Sequence, residues 1–96
     1  MEKFMNELQQ EFAAAYTVEF LVTPGFCYHQ VDVGKATAGT VGVYADAGTG
    51  YKLVTTVDFT DNTVPVILAG RYKSVKLVPD SVSAGGYSVA YVSGRM

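Results

Sequence analysis

Cys27 and His29 stand two residues apart, and they are the chain's one cysteine and one histidine. In an extended strand that spacing puts both side chains on one face. A metal centre built on them would need further His, Cys or carboxylate ligands at usable spacing, and none accompanies them. A thiolate nucleophile would need the imidazole set opposite the sulfur and a third group to orient it. Val31 and Val33 continue the same face. The expected role of the pair is therefore packing in a half-buried strand.

Four other sets invite a chemical reading. Asp58, Asp61 and Asn62 resemble the start of a calcium loop but lack its ligand spacing and distal glutamate. Asp and Asn also bond their own backbone in turns, and a turn is expected. Ala47-Gly-Thr-Gly50 is glycine-rich without the lysine and following helix of a phosphate loop, so it reads as a hairpin connection. Arg71, Lys73 and Lys76 flank Tyr72, and interleaved bases and aromatics serve single-stranded nucleic acid. Strand geometry, however, sends Arg71 and Lys73 to one face and Lys76 to the other, and lysines commonly guard edge strands. Tyr87 and Tyr91 share a face with Val89 among seven tyrosines and no tryptophan. An exposed tyrosine platform would suit a sugar, whereas core or interface use is commoner. No catalytic, cofactor-binding or metal-binding set emerges, and a lone histidine leaves little acid–base machinery. The chain is not expected to be an enzyme.

The elements that would position these residues follow from periodicity. Met1, Met5, Leu8, Phe12 and Ala15 recur at spacings of three and four, with Phe4 beside them. This predicts an amphipathic helix over residues 1–15. At that length an isolated helix is marginal in water, so it must dock on something. Phe4, Met5, Leu8 and Phe12 are accordingly the expected partner-contact residues. From residue 16 to 96 the period becomes two, in runs over 16–22, 26–33, 40–46, 51–59, 63–69, 71–78 and 87–92. Pro65 marks the fifth run as an edge or a strand start, because proline cannot donate to a ladder. The last two runs, joined through Pro79, Asp80 and Gly85-Gly86, suit a β-arch or long hairpin. Seven short strands predict a single antiparallel β-sandwich domain, immunoglobulin-like or jelly-roll-like, behind the N-terminal helix.

Composition bounds the partners. The net charge of −2 disfavours nucleic-acid binding by phosphate neutralisation. Charged residues make up 17% of the 96, below the roughly 25% of ordinary domains, which suits a surface partly covered by other copies. Residues 1–48 hold two bases against six acids, and residues 49–96 five bases against three acids. That split suits head-to-tail packing. One cysteine allows no internal disulfide, and no signal peptide or membrane-length apolar run is visible, so a reducing cytoplasm is the expected site of folding.

The segment Ala69-Gly-Arg-Tyr-Lys-Ser-Val-Lys-Leu-Val-Pro-Asp-Ser-Val-Ser-Ala-Gly-Gly-Tyr-Ser-Val89 resembles the C-terminal halves of small β-sandwich accessory proteins in the virions of tailed bacteriophages. With Tyr51-Lys-Leu-Val and Val64-Pro-Val-Ile-Leu-Ala-Gly70, the likeness spans residues 50–93. The resemblance implies a non-enzymatic virion protein made in the bacterial cytoplasm, most simply a capsid decoration or cement protein, or else a small tail or connector component. Its partners would be other copies of itself, as a homo-oligomer, and a major capsid or other virion protein, with no nucleic acid, membrane or cofactor. No individual site residue carries over. The alternative is a glycan- or host-surface-binding module of a tail or fibre, with Tyr87 and Tyr91 as the residues to test.

Overall fold

Alternation of β-branched and polar residues governs almost the whole chain, and every element among the described residues is a strand. The computed structural model describes residues 5–22, 25–61 and 65–94. The strands are β1 (Met5–Phe12), β2 (Val18–Leu21), β3 (Tyr28–Gly34), β4 (Thr40–Asp46), β5 (Tyr51–Asp58), β6 (Val66–Ala69), β7 (Ser74–Asp80) and β8 (Tyr87–Gly94). One sheet runs β1-β8-β3-β6 and the other β2-β7-β4-β5, with every pairing antiparallel.

The pairings follow one rule. First pairs with last, second with seventh, third with sixth, and fourth with fifth. A single long ribbon of strand pairs has thus been rolled over on itself, with the β4–β5 hairpin at its tip and the β3–β8 and β4–β7 pairings sealing the roll. This is the eight-stranded jelly roll, and it decides against the immunoglobulin-like strand order. Of the arch and the long hairpin expected between the last two runs, the arch forms, since β7 and β8 belong to different sheets. β6 is an outer strand, as Pro65 just before it suggests.

The expected N-terminal helix is not what forms. Residues 5–12 make a strand against β8, and residues 1–4 of that expectation, Phe4 included, lie outside the described residues. The physical reason lies in the spacing. A separation of four fits one helix turn and equally two strand repeats, so Leu8 and Phe12 satisfy both periods. Met5 fits only with an extra residue, and the ladder supplies one through a register shift between Asn6 and Leu8. Met5, Leu8 and Phe12 then stand opposite Ser93, Tyr91 and Tyr87, three positions of β8 that face the core. A free helix of this length gains little, whereas a strand here satisfies the open edge of β8.

Nine of the fourteen residues in the core cluster are valine, which fits the pleated, buried surface of strands. Val31, Val41, Val43, Val75, Leu77, Val89, Tyr87 and Tyr91 are fully buried, each contributing roughly 1.5–3 kcal/mol if an aliphatic of this size. Gly86 is fixed by geometry: its φ is +83°, and a Cβ there would run into the Phe12 carbonyl. It brings the start of β8 against the end of β1.

Candidate functional site

His29 is fully buried on β3. Its Nδ1 lies 2.7 Å from the Tyr91 hydroxyl and its Nε2 lies 3.1 Å from the Gly70 carbonyl oxygen. A carbonyl can only accept, so Nε2 carries the proton and Nδ1 accepts from Tyr91. The ring also meets Tyr72 edge-on at 5.9 Å. It is thus a brace joining β3, β8 and the β6–β7 connection. Cys27, half-buried just before β3, donates no side chain to this group, while its carbonyl accepts from Gly70 N at 2.8 Å. The pair packs, as its spacing suggested.

The tyrosine pair of β8 is also interior. Tyr87 and Tyr91 are both 0% exposed, so neither can serve as a sugar platform. Tyr87 donates to the Tyr16 carbonyl, and burial pushes its phenol up to about 12. Phe20 packs on Tyr91 at 4.6 Å. Phe12, the one expected contact residue whose side chain is described, turns inward, stacking on Tyr16 at 5.4 Å and meeting Tyr87 at 6.0 Å.

The acidic turns behave as turns. Asp58 accepts from the Thr60 amide at 2.9 Å and its hydroxyl at 2.7 Å, which lowers its carboxyl below the usual range. Asn62 lies outside the described residues. Asp46 accepts from the Gly48 and Gly50 amides across the β4–β5 connection, and those bonds lower its carboxyl likewise. Among the described residues no group of three His, Cys, Asp or Glu could hold a metal ion.

The basic patch dissolves in three dimensions. Arg71 and Lys73 sit exposed in the β6–β7 connection, while Lys76 lies on β7. That strand is interior to its sheet, between β2 and β4, so the edge-guard reading of Lys76 fails. Its ammonium instead rests over the rings of Tyr51 (4.5 Å) and Tyr44 (5.5 Å). Cross-strand register explains the grouping. One outward row reads Glu19, Lys76, Tyr44, Leu53, and the next reads Leu21, Ser74, Asp46, Tyr51. The Tyr51 hydroxyl bridges Glu19 and Ser74, and burial, then the Glu19 bond, raises its phenol.

These two rows form the surface that sequence reasoning missed. Leu21 is 81% exposed and Leu53 56%, at opposite edges of the second sheet's outer face, with two tyrosines between them. Val54 and Ile67 add exposed apolar area on the outer strands β5 and β6. The face thus combines exposed leucine with tyrosine, an aromatic enriched at protein interfaces, and with Glu19, Lys76 and Asp46. Its signal was present as period-two alternation, but the strand order that lines up the rows was not.

No family model matches the chain, and no curated protein matches it in sequence. In fold it is similar to the SPBc2 prophage-derived protein YomS, with a TM-score of 0.63 over 97% of this chain and 94% of that one, at 17% identity. The likeness is one of fold, end to end.

Proposed function

We propose that this jelly roll, shared along its whole length with a prophage-derived protein, is a non-enzymatic structural component of a bacteriophage particle. In the specific form we favour it is a capsid decoration or cement protein, made in the bacterial cytoplasm and incorporated into the virion. The observation that carries the reading is the outer face of the second sheet. Leu21 and Leu53 stand exposed beside Tyr44 and Tyr51, leaving apolar area, set among Glu19, Lys76 and Asp46, that burial against a partner would stabilise. Exposed apolar area contributes roughly 25 cal/mol per Å² when covered, so a patch repeated over many copies holds a shell without any chemistry. The partners in this reading are neighbouring copies of the chain and the major shell subunit.

Light scattering after size-exclusion chromatography, with co-sedimentation on expanded phage shells, tests it. The expected result is either a mass above one chain or saturable binding to the shells. A stable monomer that also ignores expanded shells would sink the cement reading.

A further inference from the structure

The outer face of the first sheet is hollow where that of the second is filled. Its middle strand β8 turns Ser88 and Ala90 outward, both small, while its neighbours turn longer polar groups outward. Register aligns them into rows across β1, β8 and β3: Glu11, Ser88, Gly34 and then Gln9, Ala90, Asp32. Small residues in the centre, with Gln9 and Glu11 on one bank and Asp32 on the other, make a trough of about 450 Å³, its β3 bank lowered at Gly34. The corresponding positions of the other sheet carry the longer side chains of Lys76 and Tyr44, the ammonium lying 5.5 Å from the ring.

The chemistry of the trough is specific. Its banks lie two strand spacings apart, roughly 9.5 Å, which leaves room for one sugar ring with hydrogen bonds of roughly 2.8 Å on each side. Asp32 and Glu11 present carboxylates that accept paired bonds from vicinal hydroxyls, and the Gln9 amide both donates and accepts. The Ala90 methyl offers a flat apolar floor for ring C–H groups. Lys35 binds Glu11 at 2.7 Å and closes one end. With Glu11 paired to Lys35, the carboxylate of Asp32 leaves the trough a net negative charge, which disfavours phosphates and uronates.

We propose that this trough binds a neutral oligosaccharide, one ring lying over Ala90 between Gln9 and Asp32. The inference does not depend on the particle role above, since the two use opposite faces. The test is a titration of the full ¹⁵N-labelled chain, followed by amide NMR, with maltohexaose, cellohexaose and chitohexaose, and a galacturonic acid hexamer as the anionic control. At millimolar sugar, at least one neutral hexamer is expected to shift the amides of Gly34, Ser88 and Ala90, and the anionic one is not. Asp32→Ala, an exposed position, should weaken binding roughly tenfold, the loss of about one hydrogen bond. Ala90→Tyr fills the floor and should abolish binding while leaving the spectrum dispersed. Silence toward all three neutral hexamers overturns the proposal. So do shifts that lie elsewhere or survive Ala90→Tyr.

Discussion

Tyr87 shows how much one side chain can decide about both structure and function. Its ring fills the core, and its hydroxyl ties the start of β8 to the β1–β2 connection through the Tyr16 carbonyl. Tyr87→Phe should cost about 1 kcal/mol in urea denaturation, the typical worth of a neutral hydrogen bond. The pH dependence has a definite sign. The folded phenol titrates at about 12 against an ordinary 10.0, so the native state holds its proton longer than the unfolded chain. Stability from this group is complete below pH 10 and declines as the pH rises toward 12. Denaturation midpoints compared at pH 8 and 11 should fall less in Tyr87→Phe than in the parent. At the acid end the sign reverses for Asp46, whose carboxyl is lowered by the Gly48 and Gly50 amides. Its contribution is present above the ordinary carboxylate value of 3.8 and is lost as the pH falls below it. Asp46→Ala should therefore destabilise the hairpin at pH 7, and the gap from the parent should narrow at pH 2.5.

At the scale of elements, the two glycines before β8 separate turn composition from turn geometry. Gly86→Ala forces a Cβ against the Phe12 carbonyl at a left-handed φ and should cost about 1–3 kcal/mol in thermal or urea unfolding. Gly85→Ala meets nothing within 4 Å and should stay within about 0.5 kcal/mol of the parent. Equal effects would refute the role assigned to Gly86. The sequence announced β2 to β8 clearly, because alternation of period two admits no helical reading there. It misled at β1, where spacings of three and four arise equally from a helix and from a strand interrupted by a bulge. Parity also placed Tyr87 beside Tyr91, and Cys27 with His29, on shared faces. Which face turns inward depends on the sheet neighbours, set by pairings up to a chain length apart. That dependence hides from the sequence both the inward turn of Phe12 and the row from Glu19 to Leu53.

Taken whole, the molecule is a slab of 36 × 28 × 20 Å with two unlike broad sides. One carries Leu21, Tyr44, Tyr51 and Leu53, and the other a polar trough of Gln9, Glu11 and Asp32. A protein seated on a shell by the first would present the second to its surroundings. The double variant Leu21→Lys and Leu53→Lys should keep the parent's melting behaviour, because both side chains are exposed, yet lose most of its self-association or shell binding by light scattering and co-sedimentation. Unchanged association would remove the second sheet's face from the proposal. The pairing rule of the rolled ribbon also has a consequence in time. β1 is the first strand to leave the ribosome, and its partner β8 is the last. Until β8 has been made the segment Met5–Phe12 has no partner strand, so the sheet they share can close only when the last of the eight strands arrives. Closure of the first sheet is therefore the last event the order of synthesis allows, and it depends on the two strands farthest apart in the chain.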